Sequence, residues 1–98
     1  MEIIRDYVGR LVEAEGLAVR NHLSRGLING IKVVTGLVSE LETLVTEKDV
    51  KRVKLDLDKL TKDLVVNCEK GEETSSVGLM RQLRDKARFL KYSFEKSK

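Results

Sequence analysis

The chain has 98 residues, of which 41% are hydrophobic and 36% charged, with one cysteine and no proline. This length fits one domain spanning 1–98; the apolar fraction excludes a disordered chain, and a lone cysteine excludes an internal disulfide. The formal charge of +3 is unevenly placed: residues 1–78 carry 12 Lys/Arg against 14 Asp/Glu, and residues 79–98 carry seven against two.

Purely apolar runs such as Leu17–Val19 and Leu64–Val66 stop at three residues, far short of the roughly 20 that a membrane span needs. The opening Met1-Glu2-Ile3-Ile4-Arg5-Asp6 lacks the basic start and apolar run of a signal peptide. A soluble, cytoplasmic protein without membrane contact is expected.

Apolar residues recur at alternating intervals of three and four through most of the chain, the pattern of one buried stripe on an α-helix. The first helix is predicted over 2–23, with Ile4, Tyr7, Val8, Leu11, Ala14 and Ala18 on one face. Gly9 and Gly16 fall on the opposite face, where each costs about 1 kcal/mol relative to alanine. They imply either close approach of another backbone or a soft helix. Glu15 and His22 project onto the apolar face, roughly 10 Å apart along the axis. A metal site in a bundle core repeats Glu and Glu-x-x-His across several helices. That repetition is missing, so Glu15 is expected at a core edge and His22 at a helix end.

Ser24-Arg25-Gly26 reads as a break, with Ser24 as the cap of a second helix; a kink in one long helix over 2–45 is the alternative. The second helix, over 27–44, carries Leu27, Ile31, Val34, Leu37, Val38, Leu41 and Val45 without a charge among them. It is expected at the centre of the core, and Gly30 on its inner arc lets a neighbour approach closely.

Thr46-Glu47-Lys48-Asp49 matches a capping box ahead of an apolar run. The third helix, over 47–69, presents Val50, Val53, Leu57, Leu60 and Leu64, with Cys68 as a small core filler, and ends at Lys70-Gly71, a glycine cap. Asp56 and Asp58 point to different sides and read as solvated charges among Lys54, Lys59 and Lys62. Leu55 and Val66 lie on one line opposite the core stripe and are the candidate protein interface.

Residues 71–76 read as a polar linker whose serines cap a fourth helix over 77–95, with Met80, Leu83, Ala87, Leu90 and Phe94 inward. Beside that stripe Arg81, Arg84, Arg88 and Lys91 recur at intervals of three, four and three, flanked by Tyr92. Guanidinium groups fork onto phosphates and carboxylates, so these five residues are the candidate site for an anion, nucleic acid or an acidic partner. Lys96 and Lys98 add charge beyond them.

Four helices with short turns imply an all-α, antiparallel up-down-up-down four-helix bundle with a surface open to dimerisation. No Gly-rich phosphate loop, Cys-x-x-Cys, His-Glu-x-x-His or Gly-x-Ser-x-Gly is present. The expectation is no enzyme, no cofactor, no metal and no small-molecule substrate. The function expected is a helical interaction or adaptor module that binds another protein, or itself as a homodimer, through helix faces. The alternative is a nucleic-acid-binding protein that uses its last helix on phosphates without sequence specificity.

Overall fold

The computed structural model describes residues 2–97 and contains four helices: α1 Glu2–Arg20, α2 Arg25–Glu40, α3 Val50–Glu69 and α4 Glu73–Lys96. Single 3-10 turns at Leu41–Thr43 and Glu47–Asp49 lie between α2 and α3. No strand is found among the described residues, and none of their helices is long and apolar enough to cross a membrane. The four helices pack into a compact all-α bundle 41 Å long.

Polar contacts fix the helix directions. Arg5 at the start of α1 reaches Glu42 just after α2 at 2.8 Å, so these two run antiparallel. Arg10 reaches Asp58 and Asn21 reaches Cys68, so α1 and α3 run parallel. Ser24 meets Glu73 at one end, and Glu40 meets Lys91 at the other, so α2 and α4 also run parallel. The sense is up-down-up-down. Around the bundle, however, the order is α1, α2, α4, α3: α1 and α4 each pack on α2 and α3. The segment between α2 and α3 therefore crosses the end of the bundle, and its two 3-10 turns tighten the path.

One continuous core runs through all four helices, with Ile4, Leu11, Ile31, Val34, Val38, Leu57, Leu64, Leu83 and Leu90 fully buried. Facing sizes compensate. Contacts from Arg10 to Asp58 and Thr61 and from Asn21 to Cys68 set α1 level with residues 47–51 later in α3, so the small Ala14 and Thr61 share this part of the core with the large Leu11 and Leu64. The Thr61 hydroxyl is buried and donates to the Leu57 carbonyl at 2.9 Å. Cys68 is buried as expected, its Sγ 3.7 Å from the Ser76 hydroxyl, and burial pushes the thiol up from its ordinary pKa.

The caps predicted for the second and third helices form, and the serine cap predicted for the fourth does not. The Ser24 hydroxyl accepts from Leu27 N at 3.2 Å, and the Thr46 N–H and hydroxyl both donate to Asp49 Oδ2 at 3.1 and 2.9 Å. Gly71 ends α3 at φ 73°, where glycine carries no Cβ penalty. Besides the third helix, which starts at Val50 after the Glu47–Asp49 3-10 turn and not at 47, three helices differ from the sequence reading. The first helix stops at Arg20 and does not reach 23: Leu23 N bonds Ala18 O and His22 N bonds Val19 O, closing the end with His22 at φ 56°. This reversal also replaces the alternative of one kinked helix. The second helix starts at Arg25 and gives way to a 3-10 turn after Glu40.

The third difference is α4, which starts at Glu73 instead of 77. Ser76 is no linker residue. It is fully buried one turn before Met80, and the residue at the N-terminal boundary of α4 is Glu72.

The glycines divide. A Cβ on Gly9 or Gly16 would meet nothing within 4 Å, so no backbone approaches there. A Cβ on Gly30 would lie 2.5 Å from the Met80 methyl carbon, so the close approach expected at that position is filled by a side chain of α4.

Candidate interaction surface

The basic stripe of α4 forms, but it is partly neutralised. Lys91 Nζ lies 2.6 Å from Glu40 Oε2 on α2, and this contact pushes the lysine pKa up. Arg84 leans on its neighbour Asp85 at 3.5 Å. Arg81 and Arg88 are exposed, with no ion pair among the described residues. Tyr92 is exposed, and Lys96 Nζ sits 4.9 Å from its ring centroid. Lys98 lies outside the described residues.

Leu55 and Val66 are both exposed on α3, with charged residues between them along the same side. Lys59 and Lys62 project between them, held by Asp63 and Asp58. Val66 is 46% exposed beside Val65, Arg10 and Glu13, in a shallow groove between α1 and α3. Leu55, by contrast, is 84% exposed. It stands in a depression bordered by Lys48, Lys51, Arg52, Lys54 and Asp58. Lys54 also borders a second depression, which is lined by Glu2, Asp6 and Glu47.

Asp58 is partly solvated and pairs with Lys62, in keeping with the sequence reading, but it also meets a cation of α1 that the sequence did not indicate. Its carboxylate accepts from Arg10 Nη1 at 2.8 Å and lies 3.2 Å from Lys62 Nζ. Those two cations hold its carboxyl below the usual carboxylate range. Arg10 also donates to Thr61 Oγ1 at 3.2 Å, and its guanidinium stacks on the Tyr7 ring at 5.2 Å. The cluster clamps α1 to α3. The buried Tyr7 hydroxyl has no hydrogen-bond partner of good geometry among the described residues, and burial, followed by the nearby Asp58 carboxylate, pushes its pKa up to about 12.

Phe89 was not among the sequence candidates. It is 60% exposed on α4. Helices α3 and α4 run antiparallel, with Arg52 reaching Ser93 and Cys68 facing Ser76, so Phe89 is level with Leu55. The signal in the sequence was an aromatic outside the stripe of Met80, Leu83, Ala87, Leu90 and Phe94. Arg52 bridges the two helices: it donates to Ser93 Oγ at 3.1 Å and lies over the rings of Phe89 and Phe94. Leu55 on α3 and Phe89 and Tyr92 on α4 are each exposed, and Arg52 stands between Leu55 and Phe89 among basic neighbours.

Glu15 is half-buried and His22 exposed at the reversal after α1. Among the described residues, no three His, Cys, Asp or Glu side chains gather where a metal ion would be held. No family model matches the chain, and no curated protein or solved structure is significantly similar to it.

Proposed function

We propose that the protein is a non-catalytic interaction module that docks a protein partner on the outer face of α3 and α4. The observation that carries this reading is Leu55, an aliphatic side chain 84% exposed and bordered by Lys48, Lys51 and Arg52. An apolar centre with a polar, solvent-accessible rim is the anatomy of a protein interface, and the neighbouring Arg52 and Phe89 belong to the arginine and aromatic classes enriched there. A homodimer across the same face would oppose those cations on a two-fold axis, at a cost from like charges. Self-association therefore belongs to the other side of the bundle, where Val12 and Val19 are exposed on α1.

Affinity capture from cell extract with the full chain and its Leu55→Ser/Phe89→Ser variant tests the reading. A protein retained by the first and lost from the second supports it. Recovery of nucleic acid alone overturns it. Light scattering of the unmodified chain and of Val12→Asp tests the dimer.

A second reading, phosphate binding by α4, draws on Arg81 and Arg88, which have no acid partner among the described residues. With Lys91 tied to Glu40, three stripe cations remain. On duplex DNA the expected salt slope is then about −2.7 per protomer. A gel-shift series at two salt concentrations, with Arg81→Ala/Arg88→Ala as the comparison, checks it.

A further inference from the structure

Arg52 is held in place by aromatic rings and a hydroxyl instead of an acid. Its guanidinium carbon lies 5.5 Å from the Phe89 ring centroid and 5.6 Å from that of Phe94. One Nη1–H is donated to Ser93 Oγ at 3.1 Å. No ion pair to Arg52 is found among the described residues. Asp49, one turn earlier, feels its charge, but that carboxylate is engaged by the Thr46 N–H and hydroxyl. Asp58, on the same depression, is engaged by Arg10 and Lys62. A guanidinium offers five N–H donors in a planar fork, and stacking on rings leaves the edges of that fork open. Arg52 is therefore an oriented carboxylate receptor whose ordering cost is met within the fold.

We infer that Arg52 grips a carboxylate of the docked partner, and that the partner segment is an acidic amphipathic one. Its apolar side chains lie against Leu55, Phe89 and Tyr92, and its remaining acids face Lys48 and Lys51. This inference rests on the docking reading above and names the chemistry of that partner. Charge complementarity selects an acidic segment, and the exposed leucine selects a protein over a phosphate backbone. Phosphates neutralise lysines but cover no aliphatic knob. The rings of Phe89 and Tyr92 each already carry a cation, Arg52 and Lys96, so fewer ring faces are open for base stacking.

The test uses the full chain, isotope-labelled for NMR, titrated with four probes. These are a short synthetic amphipathic peptide of Leu and Glu, the same composition in scrambled order, single-stranded oligo-uridine, and phosphatidylserine vesicles. The expected result is saturable binding of the ordered peptide, with amide shifts centred on Leu55, Phe89 and Tyr92. Arg52→Ala should weaken that binding about tenfold or more, as loss of a charged hydrogen bond does. Arg52→Lys, which keeps the charge but loses the fork, should recover only part. Lys59→Ala, already paired with Asp63, should change little.

Equal binding by the Arg52→Ala variant, with loss in Leu55→Ser, overturns the role of Arg52 and leaves the docking face standing. Binding unaffected by either variant, tightest binding of oligo-uridine or vesicles, or no binding of the ordered peptide overturns both. Equal binding of the scrambled peptide removes the amphipathic requirement and with it the assignment of the partner. Circular dichroism of each variant separates lost contact from lost fold.

Discussion

The hairpins α1–α2 and α3–α4 bury residues at matching intervals yet share little else. Tyr7, Leu11, Ala14 and Ala18 recur 50 positions later as Leu57, Thr61, Leu64 and Cys68. Leu27, Ile31, Val34, Val38, Leu41 and Val45 recur 49 positions later as Ser76, Met80, Leu83, Ala87, Leu90 and Phe94. Of these ten pairs only Leu41 and Leu90 agree in identity. Spacing, then, suffices to build the hairpin, while the sizes adjust to whatever faces them. The surfaces diverge further. Residues 1–48 hold six Lys/Arg and residues 49–98 hold 13. The first hairpin exposes valines, and the second exposes Leu55, Phe89 and Tyr92. A buried stripe constrains one side of each helix and leaves the other free to specialise.

The largest effects should come from breaking the match of sizes. Leu64→Ala should cost about 2–5 kcal/mol in urea denaturation, and Ala14→Leu about 1–3 kcal/mol through overpacking. If the two positions compensate each other, the double variant will be less destabilised than the single losses added together. Strict additivity would show that each hairpin fills its own share of the core.

Next come the two reversals. Both place one residue in the left-handed region, His22 in one hairpin and Gly71 in the other. A side chain there costs about 1 kcal/mol or slightly more. His22→Gly should therefore stabilise by about 1 kcal/mol, and Gly71→Ala should destabilise by about the same, both read from denaturation midpoints.

Tyr7 and Leu57 occupy equivalent positions, but only the tyrosine carries a polar side-chain atom, and that atom has no well-placed hydrogen-bond partner among the described residues. Removing a buried group that makes no hydrogen bond avoids its desolvation cost. Tyr7→Phe should leave stability unchanged or raise it by up to about 1 kcal/mol. A clear loss would mean that the hydroxyl is satisfied in solution.

The smallest effect is expected in acid, at the clamp between the hairpins. Arg10 and Lys62 depress the Asp58 carboxyl. Its contribution is therefore present above the unfolded value near 3.9 and is lost as pH falls below that value through the folded one. Asp58→Asn should lower stability at neutral pH, and the difference from the unmodified chain should shrink below about pH 4.

Much of the fold was legible because helices and caps are local. The intervals of three and four place each stripe, and Ser24, the Thr46–Asp49 box and Gly71 mark the ends. The start of α4 was not, because Glu73, Thr74, Ser75 and Ser76 look like linker residues one by one. Only the four-residue step back from Met80 puts Ser76 on the stripe. The end of α1 was missed because residues other than glycine seldom take the left-handed conformation, although histidine does so more often than most. Neighbour order was also hidden, since a stripe tells which side is buried and not against which helix.

The candidate surface was legible in part. Leu55 and the arginines of α4 stand out as departures from the buried pattern. The setting of Arg52 does not, because Phe89 and Phe94 are 37 and 42 residues away in the chain. Likewise, nothing local to α4 announces that Lys91 is occupied by Glu40.

At the end of the bundle that holds both reversals, each hairpin finishes the other. Asn21 Nδ2 donates to the terminal carbonyls Cys68 O and Glu69 O of α3 at 2.8 and 3.0 Å. In return the Glu73 carboxylate accepts from Ser24 N at 2.8 Å, at the positive start of α2. A polypeptide severed between Val45 and Thr46 would yield two fragments, both frayed at this same end. Mixing them should restore helicity that neither shows alone, which makes the molecule a natural subject for fragment complementation.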